Sequence, residues 1–139
     1  MRKIIGIGET ILDILFKDNQ AATSVPGGST FNSMISLGRM GVPTCFLSEI
    51  GDDKVGEIVH SFLSDNGVDD RYLTEYPDRK SPISLAFLDD HNNASYSFYR
   101  ETFGRRSDWQ CPPIGHDDII LFGSYYALDP NVRYKVTAL

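Results

Sequence analysis

The 139-residue chain is 41% hydrophobic and 23% charged, a balance typical of a soluble globular domain, and its length allows one domain with its own core. The net charge of −6 disfavours broad binding to nucleic acid or to anionic membranes, because both are polyanions. Glu9 and Asp13 interrupt the apolar N-terminal stretch before a signal peptide or membrane span could form. We therefore expect a cytoplasmic protein that binds neither nucleic acid nor a membrane.

Two apolar segments open the chain. The segment KIIGIG (3–8) ends in glycine and is typical of a buried parallel strand. The segment TILDILF (10–16) predicts a second extended element. The polar stretch KDNQAATSVPGG (17–28) that follows predicts a loop.

A helix and a strand are predicted next. The helix runs from about Thr30 to Met40, with Ser29 or Thr30 as its cap, and Gly41 helps to stop it. The apolar segment TCFLSEI (44–50) then predicts a strand.

A second helix follows this strand and has the clearest pattern in the chain. Its single apolar stripe consists of Val55, Ile58, Val59, Phe62 and Leu63. Asp52 or Asp53 caps its start, and Gly67 ends it.

The second half of the chain changes in character. The segments SPISLAFLDD (81–90) and ASYSFYRE (94–101) alternate on either side of a turn-forming stretch and predict a β-hairpin. A polar connection (101–116), in which Arg105 and Arg106 are expected to be solvated, leads to the buried-type strand DDIILFGS. A last helix begins with Asp129 as its cap and Pro130 at its first position.

The order of these elements indicates an α/β core with an inserted or appended β-layer. The sequence stops within the last helix, with no strand after it to complete a parallel crossover. We therefore expect a fragment of a longer polypeptide.

The cysteines and histidines show no pattern of a metal or redox site. Cys45 and Cys111 lack such a spacing, and the histidines His60, His91 and His116 have no partner at a ligand interval. We expect two reduced thiols and no metal site.

Glycines occur at two places where a ligand would approach the backbone. In GIGETI, the third position of a dinucleotide fingerprint is Ile11, which disfavours a nicotinamide-binding domain. No lysine follows Gly27 and Gly28, so they do not form a triphosphate-binding loop. Asn32 lies one turn into the helix and both donates and accepts hydrogen bonds, as a hydroxyl does. The pattern fits a polyol, or else a glycine turn with an Asn that faces solvent.

Asp13 is a carboxylate among apolar residues. It shares a strand face with Ile11 and Leu15, and the opposite face is apolar as well. A carboxylate near buried surface needs hydrogen-bond donors, since leaving it unpaired costs several kcal/mol. Either the hydroxyls of a ligand or structural donors of the protein meet this need.

The second strand of the hairpin presents Tyr96, Phe98 and Arg100 on one face. An arginine beside two aromatic rings suits a surface that faces a sugar or a carboxylate. The same face would also suit packing against a partner, with the arginine directed towards solvent.

Together these motifs resemble the ribokinase-like (PfkB) family of carbohydrate kinases, and its fructokinase-type members most closely. The resemblance covers nearly the whole chain, with IIGIGETILDI, PGGSTFN, LGRMGVPTCFLSEIGDDKVG, SFYRE and IILFGS in order. The chain departs from the family pattern at Thr30, where Gly, Ala or Pro is usual, at Met34, where a small residue is expected, and in the loop TFGRRSDW.

The resemblance implies a fold and a set of site residues. It implies that residues 1–139 are the N-terminal portion of a Rossmann-like ribokinase fold, with a small β-sheet lid whose strands lie within 10–25 and 82–101. Such a lid often serves as a dimer interface, which implies a homodimer. The sugar-binding residues that it implies are Asp13, Gly27, Gly28 and Asn32, with Phe98 and Arg100 from the lid.

The catalytic aspartate of the family lies in a C-terminal Gly-Ala-Gly-Asp motif, which this sequence lacks. The resemblance therefore implies that the full-length protein uses ATP and Mg²⁺, and that the ATP-binding half and the catalytic residue lie outside this chain. The chain alone is expected to be inactive.

The expected function is ATP-dependent phosphorylation of a hydroxyl of fructose or a related keto-sugar by the full-length protein. A kinase of the same family that acts on 2-keto-3-deoxygluconate or on a nucleoside is an alternative, because Arg100 would also suit a carboxylate. A non-catalytic sugar-binding or dimerising module is the alternative from another class.

Overall fold

The computed structural model describes residues 2–101 and 106–139, and this part of the chain contains eight strands, three α-helices and a short 3₁₀ helix. The strands are β1 (Ile4–Ile7), β2 (Ile11–Lys17), β3 (Gln20–Gly27), β4 (Thr44–Gly51), β5 (Leu73–Tyr76), β6 (Ile83–Leu88), β7 (Ala94–Tyr99) and β8 (Ile119–Phe122). The helices are α1 (Ser29–Arg39), α2 (Lys54–Asp65) and α3 (Pro130–Thr137), and the 3₁₀ helix spans Tyr125–Leu128.

Four parallel strands form the central sheet, in the order β5-β4-β1-β8. Ile5 of β1 lies between Cys45 of β4 and Ile120 of β8. Apolar side chains occupy both faces, as is usual for a parallel sheet that is covered on both sides. The core on the α1 and α2 side includes Phe31, Met34, Phe46, Val59 and Leu63. The core on the other side includes Ile5, Ile7, Leu47, Trp109, Tyr126 and Val132.

The glycines of the GIG segment allow α1 to pack closely on β1. A Cβ on Gly6 would overlap the side chain of Met34, and a Cβ on Gly8 would lie 2.6 Å from the Cβ of Thr30. These glycines therefore serve helix–strand packing, in agreement with the exclusion of a dinucleotide fingerprint.

Four further strands form the small sheet, in the order β3-β2-β6-β7. The predicted hairpin is confirmed as β6 and β7, and β6 runs parallel to β2. The predicted loop at 17–28 is wrong, because most of it is β3, paired antiparallel with β2 after a turn at Asp18 and Asn19. The first six residues of β3 are exposed, so the segment lacks the apolar alternation that marks a half-buried strand.

The first two helices are confirmed, with one correction at a cap. Gly28 precedes α1, and neither Ser29 nor Thr30 caps that helix through its side chain. Asp53 caps α2 as predicted, since its carboxylate accepts a hydrogen bond from the backbone N–H of Gly56 at 2.9 Å.

The C-terminal elements agree with the sequence in part. Asp129 caps α3, and Pro130 occupies its first position, as predicted. The strand β5 and the 3₁₀ helix were not predicted, because each is only four residues long and shows no periodicity. Ile58, which was assigned to the apolar stripe of α2, is 42% exposed.

A buried carboxylate fixes the segment that leads to β8. Glu49 is 4% exposed and accepts hydrogen bonds from the backbone N–H groups of Arg106 and Ser107, at 3.0 and 3.1 Å. The hydroxyl of Tyr126 donates to the same carboxylate at 2.9 Å and accepts from the indole of Trp109 at 3.1 Å. This charge is therefore satisfied by three donors.

The sequence predicts that Arg105 and Arg106 are solvated, and the structure describes only the second of them. Arg105 lies outside the described residues. Arg106 forms an ion pair with Asp78, and its guanidinium lies 4.7 Å from the ring centroid of Tyr76, so it is not simply solvated.

Within the described ranges, no helix is long and apolar enough to cross a membrane, and no cluster of three His, Cys, Asp or Glu residues suits a metal ion.

Candidate functional site

The candidate site lies where the central sheet and the small sheet meet. The chain leaves β1 at Ile7, passes through Gly8, Glu9 and Thr10, and enters the small sheet at Ile11. It returns from the small sheet at Gly27 and begins α1 at Ser29. The end of β1, the first turn of α1 and the small sheet therefore adjoin at the carboxyl end of a parallel strand, where ligands bind in many α/β proteins.

Asp13 is half-buried, and its two carboxylate oxygens have different surroundings. Oδ1 accepts a hydrogen bond from the hydroxyl of Ser84, which is fully buried. Oδ2 lies towards Gly27, since a Cβ built there would be 2.9 Å from it. Asp13 thus has the structural donor that its position required, and it also has an oxygen directed towards the glycine pair.

The glycine pair brings the start of α1 close to the loop after β1. Gly28 has a φ of 133°, a conformation that side chains rarely adopt, and a Cβ on it would overlap the carbonyl oxygen of Glu9. The first N–H groups of α1 donate no hydrogen bond to a capping side chain. These donors are available to a ligand.

Asn32 lies one turn into α1, and its backbone N–H donates to the carbonyl of Gly28 at 2.8 Å. Its side chain is exposed and makes no hydrogen bond to the described residues. The structure therefore brings Asn32 near Gly28 through the helix but gives it no direct contact with Asp13.

Phe98 and Arg100 lie on the side of the small sheet that Asp13 also faces. Asp13 is opposite Ser84, and Ser84 is opposite Phe98, so the three lie in one row across the strands. The guanidinium of Arg100 lies 5.5 Å from the ring centroid of Phe98. The ring of Tyr96 stacks with the ring of Phe98, and their centroids are 5.9 Å apart. The predicted common face of these three side chains is confirmed.

Glu9 and Ser84 also belong to this region, although no sequence motif points to either of them. Glu9 forms an ion pair with Arg100 at 3.2 Å. The Asp13–Ser84 and Glu9–Arg100 contacts each join segments that are far apart in sequence, which local patterns do not reveal. The structure pairs Ser84 with Phe98 across the hairpin, and nothing local in the sequence relates either residue to Asp13.

The small sheet is anchored to the central sheet by a second set of hydrogen bonds. The backbone N–H of Ser81 donates to Asp53 at 2.8 Å, and the hydroxyl of Ser81 accepts from Gly51 at 2.9 Å. Partial burial raises the pKa of the Asp53 carboxyl, but the backbone hydrogen bonds from Ser81 and Gly56 outweigh it and hold that pKa below its usual range. The start of β6 is therefore fixed beside the N-terminus of α2.

Comparison with known proteins gives a consistent result. A family model described as pfkB family carbohydrate kinase matches residues 1–136. A fructokinase from Rhizobium leguminosarum bv. trifolii is 35% identical in an alignment of 129 positions, which covers 87% of this chain and 39% of that protein. The chain spans about a third of the length of the curated relatives it matches.

Solved structures agree with this match. The crystal structure of a fructokinase from Xylella fastidiosa aligns with a TM-score of 0.62 at 26% identity, covering 71% of this chain and 34% of that one. An uncharacterized sugar kinase from Pyrococcus horikoshii, solved in complex with ATP, aligns with a TM-score of 0.71 and covers 97% of this chain and 47% of that one. Its identity is 22%, so it shows similarity of fold.

Proposed function

Because the chain belongs to the pfkB family of carbohydrate kinases, we propose that it supplies the sugar-binding part of an ATP-dependent kinase. The proposed substrate is fructose or a related keto-sugar, and the product carries a phosphate on one of the sugar hydroxyls. Fructokinases among the relatives and the structural neighbours support this substrate class.

One observation carries the proposal. Oδ2 of Asp13 is directed towards Gly27, at the point where α1 begins without a side-chain cap. A carboxylate accepts from a hydroxyl, and free backbone N–H groups donate to one, so this corner offers both halves of a hydroxyl's hydrogen bonding. A neutral polyol satisfies both kinds of group without bringing a charge into the site.

Each proposed site residue has a separate role. Asp13 would accept a hydrogen bond from a sugar hydroxyl, and the side chain of Asn32 would donate to one hydroxyl and accept from another. Gly27 and Gly28 keep the corner open for the ligand, since a side chain at either position would occupy it or strain it. Phe98 would pack its ring against the apolar C–H face of the sugar, and Arg100 would bind a hydroxyl at the opposite end.

The described residues of this site do not fit a triphosphate. Among the six proposed sugar-binding residues, Asp13 is anionic, and Arg100, the one cation, is already paired with Glu9. ATP would supply the transferred phosphoryl group and Mg²⁺ would offset its negative charge, both held by parts of the kinase beyond this site. The residues of this chain bind and orient the hydroxyl that attacks.

We further propose that the small sheet forms a contact between two copies of the protein. On the face opposite Asp13, the rings of Phe16 and Phe87 stack with centroids 4.9 Å apart, and Phe87 and Tyr99 are 38% and 57% exposed. An exposed aromatic surface on a sheet favours association with a matching surface. Phe87→Asp should convert a dimer to a monomer in light scattering, whereas Ile58→Asp, at an exposed apolar residue of α2, should not.

The activity is tested on the full-length protein that contains this chain. It is incubated with ATP and Mg²⁺ and with fructose, ribose, 2-keto-3-deoxygluconate and nucleosides in turn. We expect phosphorylation of fructose, or of another keto-sugar, with the highest kcat/KM. Absence of phosphorylation across the panel would contradict the kinase proposal and favour a non-catalytic sugar-binding or dimerising module.

The isolated 139-residue chain provides the complementary test. We expect it to phosphorylate none of these sugars, since no described side chain of the site fits ATP. Measurable turnover by the purified chain would contradict the assignment of phosphoryl transfer to residues outside it.

A further inference from the structure

Ser84 is fully buried on β6, directly opposite Asp13 of β2. Its hydroxyl donates a hydrogen bond to Oδ1 of Asp13. The backbone pairing of the two strands fixes both Cα positions, so this contact does not depend on the flexibility of a long side chain. Ser84 has a single hydroxyl proton, and that proton is used on Asp13.

The hydrogen bond removes a rotational freedom that an aspartate otherwise retains. Rotation of a carboxylate about the Cβ–Cγ bond is weakly restricted, and without a partner its two oxygens exchange roles. With Oδ1 held by Ser84, the orientation of Oδ2 is fixed. Oδ2 then lies on the side of Gly27, which is two residues before α1 begins.

We propose that Ser84 is a positioning residue for substrate binding, which orients the Asp13 carboxylate so that Oδ2 accepts a hydrogen bond from a sugar hydroxyl beside Gly27. This inference rests on the proposed function.

The burial of Ser84 supports a role in orientation. A buried hydroxyl that donates to a carboxylate forms a charge-assisted hydrogen bond, which is shorter and stronger than a neutral one. Removing it frees the carboxylate to rotate, and a ligand must then fix that rotation on binding. The cost is expected in the affinity for the sugar and not in the affinity for ATP.

The test uses Ser84→Ala and Ser84→Thr in the full-length protein, with KM and kcat measured separately for fructose and for ATP. Ser84→Ala should raise the KM for fructose about two- to tenfold, the factor expected when one freed side chain must be ordered on binding. The KM for ATP should change less than about twofold, because the described residues of this site do not fit a triphosphate. Ser84→Thr keeps the hydroxyl and should restore most of the affinity for fructose.

A matched control and a set of substrate analogues separate positioning from stability. Ser97→Ala removes an exposed hydroxyl of β7, opposite Leu85 in the hairpin, and should leave both KM values unchanged. Among deoxy analogues of fructose, one should bind the wild type weakly because it lacks the hydroxyl that Oδ2 accepts from. Ser84→Ala should reduce that penalty, which a purely structural role would not do.

The outcomes distinguish the two proposals. If the wild type phosphorylates fructose but Ser84→Ala leaves its KM unchanged, or lowers only the melting temperature, the positioning role is wrong and the kinase proposal stands. If no analogue shows a penalty that Ser84→Ala reduces, the assignment of Oδ2 as the oriented acceptor of a sugar hydroxyl is wrong. If the wild type phosphorylates no sugar, both proposals fail.

Discussion

Glu9 and Arg100 form an ion pair, with 3.2 Å between Oε1 and Nη1, that joins the loop after β1 to the end of β7. The pair therefore bridges the central sheet and the small sheet beside the candidate site. Arg100 also lies over the ring of Phe98, so its guanidinium is held from two directions. An arginine held in this way is positioned before a ligand arrives, which reduces the cost of ordering it on binding.

The first prediction concerns Arg100. In the full-length protein, Arg100→Ala should raise the KM for the sugar about tenfold or more, the loss expected for one hydrogen bond from a charged donor. The KM for ATP should change little. Arg133→Ala, at an exposed arginine of α3, is the control and should affect neither constant. Equal increases in both KM values for Arg100→Ala would remove Arg100 from the sugar site.

The second prediction compares two glycines with positive φ. Gly41 has a φ of 77° and no atom within 4 Å of a Cβ position, so Gly41→Ala should cost about 1 kcal/mol from backbone strain alone. A Cβ on Gly28 would also overlap the carbonyl oxygen of Glu9, and the backbone there must move. Gly28→Ala should cost about 3 kcal/mol in the free energy of unfolding, measured in urea. Similar costs for the two variants would contradict this packing.

Gly28→Ala should also affect function. Displacement of the loop after β1 would move Glu9 and the first turn of α1 away from the positions described. We expect the KM for the sugar to rise in Gly28→Ala and to remain unchanged in Gly41→Ala. This difference separates a local effect on the site from a general loss of stability.

Local patterns in the sequence were enough for the hairpin and the caps of α2 and α3. Strand alternation is visible over six residues, and a capping aspartate lies within three residues of the N–H that it binds. The strand β3 was missed because its exposed polar residues carry no alternation, and the pairing with β2 determines its structure. Tertiary pairing overrode local preference there.

The candidate site was only partly predictable for a related reason. Asp13 and the glycine pair stood out as a carboxylate among apolar residues and as glycines before a helix. The partners of the site did not, because Ser84 is 71 residues away from Asp13 and Glu9 is 91 residues away from Arg100. The register of β2 against β6 creates the first contact, and no local motif encodes the register of two parallel strands.

The third prediction concerns pH and Asp53. The pKa of this carboxyl is held below its usual range in the folded state, so the ionised form is favoured by folding. That stabilisation is present above the unfolded pKa of about 3.9 and is lost as the pH falls through the lower, folded value. The stability difference between wild type and Asp53→Asn should therefore be largest near neutral pH and decrease below about pH 4. Urea unfolding at a series of pH values measures it.

The exposed neighbour of Asp53 provides the control for this pH series. Asp52→Asn changes a carboxylate on the same turn that makes no hydrogen bond to the described residues. It should alter the free energy of unfolding much less at every pH. A difference between wild type and Asp53→Asn that stays constant from pH 7 to acid would show that the hydrogen bonds from Ser81 and Gly56 do not favour the charged form.

The fourth prediction concerns the two free cysteines. Cys45 is 2% exposed, and burial, with a smaller contribution from the nearby charge of Asp69, raises the pKa of its thiol to about 12. The thiolate is the reactive form, so Cys45 should resist alkylation by iodoacetamide near pH 8. Cys111 is only half-buried and should react first. Both should react in denaturant, and equal rates in the native protein would contradict the buried position of Cys45.

The fifth prediction concerns the buried hydrogen bonds around Glu49. Tyr126→Phe removes the hydroxyl that donates to Glu49 and accepts from Trp109, leaving a carboxylate oxygen and an indole N–H each short of one partner. Unsatisfied buried groups of this kind cost about 1–3 kcal/mol, so the free energy of unfolding in urea should fall by that amount. Tyr125→Phe removes the hydroxyl of the adjacent tyrosine, which is 82% exposed, and should have almost no effect. Equal stability of the two variants would mean that the Glu49 carboxylate does not depend on Tyr126 to hold the 106–109 segment against the central sheet.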